Sequence, residues 1–176
     1  LKKKYAAGRE RRTEIRSFDT VVAAKVAMAN VKLYINREEG FMGTGLKRDE
    51  FVCDCSDMDD ILVIRNNGTL LVTKVDAKKF VGKDILYAGV YLKGDDRTVY
   101  NLMYRDGMKG SSFVKRFAMT GVTRDKEYHL TQGTKESSIL YLSVNPNGEA
   151  ETVTVHLRAL AHLKKLKWDV DFSGIA

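Results

Sequence analysis

The chain has 176 residues, 44% of them apolar, with one proline, two cysteines and a formal net charge of +7. That length supports one core burying roughly two-thirds of the unfolded surface without disulfide or metal staples, so one domain, or one domain with an appendage, is expected. No apolar run approaches the ~20 residues of a membrane span, and the opening LKKKYAAGRERR has no apolar stretch behind its charges, so no secretory signal is expected.

The charge is concentrated at the ends. Residues 1–16 hold seven cations against Glu10 and Glu14, and residues 156–176 hold four against Asp169 and Asp171. The body between them carries 19 cations and 19 acids and is neutral. Polyanion binding by the body therefore requires charge segregated onto one face. Residues 1–16 are too polar for a core stripe and are broken by Gly8; they read as a short helical or extended basic arm, the end of a helix with its linker. A solvated tail and an arm touching phosphate are equally compatible with them.

From residue 17 to 176 the pattern is β. One unit recurs: an apolar strand, a polar turn ending in glycine, then a second strand. It appears as VKLYINREEGFMGTGLKR, DDILVIRNNGTLLVTKV, RTVYNLMYRDGMKGSSFVKRF and SSILYLSVNPNGEAETVTVHL, with turn glycines at Gly40, Gly68, Gly107 and Gly148. Asn-Gly and Asp-Gly in three of these turns supply the positive φ of tight hairpins. In the first three units the positions seven and five before the glycine are apolar: Leu33/Ile35, Ile61/Val63 and Tyr100/Leu102. In the fourth the alternation slips by one, to Leu140, Leu142 and Val144. The expectation is an all-β protein of repeated hairpins, as blades around an axis or stacked. In the first unit, Gly43, Thr44 and Gly45 sit inside the second arm, which would end on Lys47-Arg48. They fit close approach by a neighbouring strand or a phosphate, or a β-bulge.

Catalytic chemistry finds little support. Asp57, Asp59 and Asp60 suggest a cation loop, but counting from Asp54 places Asp59 and Arg65 where a calcium loop needs glycine and glutamate. A polar turn before a strand fits better. Cys53 and Cys55 would share one face of a strand, which suits a disulfide poorly, so both are expected reduced, one at least buried, in a cytoplasmic protein. With scattered histidines they do not make a zinc set. No nucleophile turn or phosphate loop is present. No catalytic residue, metal ligand or cofactor site is assigned.

The cations remain. Lys47 and Arg48, Lys78 and Lys79, Lys83, Lys115 and Arg116, and Arg124 and Lys126 stand at or after hairpin ends or beside glycines in the connections. Each pair alone reads as solvated surface; at equivalent places in successive repeats they would line one rim and suit a duplex backbone. Few aromatic residues accompany them in sequence, which argues against single-strand binding by stacking.

KKKYAAGRERRTEI, SFDTVVAAKVAMANVKLYINREEGFMGTGLKRDEF, DDILVIRNNGTLLVTKV and DVDFSGIA together resemble the C-terminal portion of the A subunit of bacterial type IIA DNA topoisomerases, over essentially the whole chain. The resemblance implies a β-pinwheel of four-stranded blades with duplex DNA bent around a basic outer rim. It implies a parent heterotetramer in which a B subunit binds ATP and Mg²⁺ and a second A subunit completes the assembly, in the bacterial cytoplasm on the nucleoid. The strand-cleaving tyrosine of that family lies upstream of the matched region, so this part would be an accessory domain without catalysis. Gyrase carries a basic Q-R-R-G-G-K-G loop after the segment matching GLKRDEF. Here Phe51 runs straight into VCDCSDMDDILVI, which implies topoisomerase IV rather than gyrase. A protein-interaction propeller without DNA binding is the competing expectation.

Overall fold

The computed structural model describes residues 29–159 and 163–175; the expected arm of residues 1–16, the start of the β region and His162 lie outside the described residues. Among the described residues thirteen strands follow one another: β1 (Val31–Asn36), β2 (Phe41–Gly43), β3 (Glu50–Cys55), β4 (Asp60–Arg65), β5 (Thr69–Lys74), β6 (Lys79–Phe80), β7 (Ile85–Tyr91), β8 (Val99–Arg105), β9 (Ser112–Ala118), β10 (Glu127–His129), β11 (Ser138–Asn145), β12 (Thr152–His156) and β13 (Lys167–Asp171). A single 3-10 turn, Phe172–Gly174, closes the described chain. The expected all-β, pinwheel-like architecture is present as antiparallel sheets, in the orders β3-β1-β2-β6, β10-β5-β4-β7, β11-β8-β9 and β12-β13.

The first three hairpins form as the turn chemistry requires. β1–β2, β4–β5 and β8–β9 pair directly, and Gly40, Gly68 and Gly107 hold φ between 71 and 80°, a region costly for any residue with a Cβ. Their apolar positions define the core. β4 is buried along its inner length because its two faces enter different clusters. Ile61 and Val63 pack with Leu33, Ile35 and Met42 between the first two sheets, and Leu62 and Ile64 pack with Leu70, Tyr100, Leu102 and Tyr104 between the second and third. At about 1.5–3 kcal/mol for each fully buried aliphatic side chain, those four residues contribute at most about 6–12 kcal/mol. No surface ion pair approaches that.

The fourth expected hairpin does not form. The turn exists, with Gly148 at φ +70° and its N–H on the Asn145 carbonyl at 3.1 Å. Yet β11 pairs with β8, and β12 pairs with β13 in a separate sheet. The reason lies in one buried amide. Asn101 of β8 is fully buried, and the chain after the turn crosses the sheet face to bring Glu151 to it. The Glu151 carboxylate accepts from Asn101 Nδ2 at 2.8 Å, from the Tyr141 hydroxyl at 2.9 Å and from Ser143. Residues that serve this face cannot also run alongside β11. The slipped alternation has a local cause too: a register shift between Ile139 and Tyr141 leaves Leu140 exposed and turns Leu142 and Val144 to the core.

Burial pushes the Glu151 carboxyl up, but the hydrogen bonds from Ser143, Asn101 and Tyr141 more than offset this and hold it below the usual carboxylate range. A depressed carboxyl contributes stability that is complete above its ordinary pKa and is lost as pH falls through the lowered value. Glu151→Ala should cost about 1–3 kcal/mol at neutral pH, since Asn101 loses its partner. Urea unfolding should show that deficit at pH 7 and a smaller one in acid. A deficit unchanged across this range would mean that the contact is not carried by the carboxylate.

Candidate nucleic-acid interface

After each central hairpin the chain crosses back to form the next strand of its own sheet. The crossings are residues 44–49 (β2 to β3), 75–84 (β5 to β7) and 119–137 (β9 to β11). The second and third each deposit a short strand on the preceding sheet: β6 beside β2, and β10 beside β5. Seven of the nine candidate cations lie on these crossings: Lys47 and Arg48 on the first, Lys78, Lys79 and Lys83 on the second, Arg124 and Lys126 on the third.

Neighbouring crossings are tied together. The Thr44 and Gly45 amides donate to the Asp76 and Ala77 carbonyls at 3.0 and 2.8 Å. A Cβ on Gly43 would stand 2.2 Å from the Ala77 oxygen and one on Gly45 2.9 Å from it. The small residues of the second arm therefore admit a neighbouring segment of backbone, not a bulge. The arm itself ends at Gly43, so Lys47 and Arg48 stand in a turn, between this junction and Asp49, which accepts from Asn36 Nδ2 at 3.1 Å. At the second junction Lys79 Nζ donates to Asp125 Oδ1 at 2.8 Å, and the buried Thr73 hydroxyl donates to the same oxygen at 2.6 Å. Hydrogen bonds from Lys79 and then Thr73 hold the Asp125 carboxyl below its usual range.

The candidates differ in what their charge faces. Arg124 is neutralised by Asp60 through two bonds of 2.8 and 2.9 Å, and Lys79 by Asp125. Lys47, Arg48, Lys78, Lys83 and Lys126 are exposed, and among the described residues none is in an ion pair. Lys83 stands apart from Lys78: it follows Gly82, which packs against Gly40 at the hairpin-turn end. Lys115 and Arg116 differ from expectation. They occupy the middle of β9, and adjacent strand residues point to opposite faces. Lys115 Nζ donates to the Leu130 carbonyl at 2.7 Å, and Arg116 to the Gly148 carbonyl at 2.7 Å.

Two features escaped the sequence. Aromatic rings do accompany the cations, from other strands. Lys78 Nζ lies 4.4 Å from the Phe41 ring, Lys115 5.4 Å from Tyr104 and Lys126 5.3 Å from Tyr128. Of these only Tyr128 is close in sequence, and such contacts hold an ammonium while leaving it wet. Lys74, the exposed last residue of β5, adjoins the second crossing but stands outside the glycine-flanked connections that drew attention.

Among the described residues no group of three or more His, Cys, Asp or Glu is placed to hold a metal. Asp59 accepts from the Ser56 amide at 2.8 Å, as a turn residue does. Cys53 and Cys55 are free thiols, Cys55 buried. Burial, then the nearby Cys53 and aspartates, pushes the Cys55 thiol up to about 11, away from nucleophilic use. No described helix is long and apolar enough to cross a membrane.

The family model described as topoisomerase C-terminal domain, Bacteroidota, matches residues 32–176. The A subunit of DNA topoisomerase 4 from Borreliella burgdorferi is 31% identical over 144 residues, which cover 81% of this chain and 22% of that protein. The chain thus spans less than a quarter of that relative's length. No solved structure matches it.

Proposed function

Because the chain belongs to the family of bacterial topoisomerase C-terminal domains, we propose that it is a non-catalytic module that binds and bends duplex DNA for a type IIA topoisomerase, presenting a segment for strand passage. The observation that carries this reading is the recurrence of exposed cations, unpaired among the described residues, on successive crossings of a body that is neutral overall. Phosphates are spaced closely along a duplex, and point charges on equivalent connections meet them without reading base sequence. The parent is an ATP-hydrolysing enzyme in which the B subunit binds ATP and Mg²⁺ and a second A subunit completes the heterotetramer, acting on the nucleoid in the cytoplasm. A protein-interaction role without DNA draws support from the neutrality of the body and from the ion pairs that tie up Lys79 and Arg124.

The topoisomerase IV kind is favoured over gyrase by the turn between β3 and β4. Residues 54–60 carry Asp54, Asp57, Asp59 and Asp60 and no cation; among the described residues only Asp60 is matched, by Arg124. A duplex passing there meets repulsion instead of a basic clamp, so the domain bends DNA without holding a full chiral turn.

Duplex affinity should fall steeply with salt, by about −0.9 in log K per log salt for each phosphate neutralised. Lys47→Ala, Arg48→Ala and Lys78→Ala combined should flatten that slope by about 2.7 and weaken all sequences alike. Binding indifferent to salt, or lost only for some sequences, would favour the protein-interaction reading. Closed plasmid relaxed by a type I topoisomerase in the presence of the domain should show little change in linking number. A large stoichiometric shift would place the domain with gyrase.

A further inference from the structure

Of the large apolar side chains exposed among the described residues, Phe80 alone lies on a crossing. Its ring is 57% exposed, where the second crossing lays β6 against β2. The phase of β6 explains why it points outward. Lys79 pairs with the buried Met42 and Phe80 with Phe41; cross-strand partners share a face, and adjacent residues take opposite ones. Lys79 takes the inward side, where its Nζ meets the Thr73 hydroxyl and the Asp125 carboxylate. Phe80 is left on the other face. There the Phe41 ring backs it edge-on, with centroids 5.3 Å apart and planes at 62°. Lys78 Nζ stands 4.4 Å from the Phe41 centroid. Lys78 and Lys83, on either side of Phe80 in the chain, are exposed and in no ion pair among the described residues.

We propose that Phe80 is an apolar wedge that enters a base step of the duplex from the minor groove and kinks it, with Lys78 and Lys83 on the flanking phosphates. This wedge rests on the reading of the crossings as a duplex path, and supplies what bends the DNA there. Phosphate contacts by themselves position a duplex. A ring pushed between bases also exchanges water for base faces, and the partial unstacking opens a kink of about 20–90° toward the major groove. A wedge must be stiff, and this one is braced twice. Phe41 backs the ring, and Lys79, tied to Asp125 and the buried Thr73, fixes the strand that carries it. A single exposed phenylalanine is ordinary on a surface; the brace and the two free cations set this one apart. The other exposed residues of the crossing are Asp76, Ala77, Lys78, Lys83 and Asp84. Such surroundings give an apolar protein partner little to cover, and Asp76 is turned back on the Ala77 amide at 2.6 Å.

Energy transfer across an end-labelled duplex reads the bend made by the 176-residue chain, and titration at several salt concentrations reads the phosphate contacts. The natural sequence should draw the duplex ends together. Phe80→Ala should keep the salt slope, since no cation is lost, and should lose a bend of about 20° or more. Phe80→Leu, still an apolar wedge, should keep the bend. A single mismatch lowers the cost of unstacking and should tighten binding by the natural sequence more than by Phe80→Ala. Equal bends with and without the Phe80 ring, at an intact salt slope, overturn the wedge and leave the duplex reading standing. A bend that Phe80→Leu fails to keep, an equal response to the mismatch, or a shallower salt slope in Phe80→Ala also overturns it, since Phe80 would then merely support the cations. If the natural sequence shows no salt-dependent binding, the duplex path falls and the wedge with it.

Discussion

An unpaired sheet edge is the constraint on which this structure turns. A hairpin of short strands cannot bury its own backbone; each central hairpin here gains one neighbour from its own repeat, and the first two gain a second from the repeat that follows. That second neighbour is tiny: β6 has two residues and β10 three. What they supply is a path more than a ladder. To reach the preceding sheet, the chain after the second and third hairpins must swing outward before it returns, and the crossings hold seven of the nine candidate cations.

The same constraint explains the electrostatics. A neutral body gains a basic face only if its cations are sorted by topology. Crossings are the solvent-facing part of each repeat, so a lysine there does not disturb a core whose strands are buried on both faces, as β4 is. Sorting is incomplete. Asp60 and Asp125 sit at the junction of the second and third crossings and hold Arg124 and Lys79, and Asp125 also satisfies the buried Thr73. Those two cations knit the sheets together, which leaves Lys47, Arg48, Lys78, Lys83 and Lys126 as the candidate crossing cations with no acid partner among the described residues.

Much of the fold was legible because the turn residues and the period-two pattern agree. Asn67-Gly68 and Asp106-Gly107 mark hairpins, and Ile61/Val63 and Tyr100/Leu102 mark a core, wherever they occur. The exchange of strands was not legible, since Lys79–Phe80 is too short to show any period. The fourth hairpin misled for a different reason: Asn147-Gly148 does make its turn, but pairing beyond it was settled by Asn101 and Glu151, fifty residues apart in sequence. The candidate cations were legible as residues on connections, and seven of the nine do lie on crossings. Which of them are neutralised, and which lie on a ring such as Phe41, depends on cross-strand neighbours that a linear reading does not contain.

The claim at the centre of this account is that duplex DNA runs over the crossings and touches their unpaired cations. Lysine acetylation footprinting with and without a duplex addresses it residue by residue. Lys47, Lys78 and Lys126 should lose reactivity when DNA is bound, while Lys93 and Lys109, exposed but off the crossings, keep theirs. Protection that falls on Lys93 and Lys109 and spares Lys47, Lys78 and Lys126 would contradict the account.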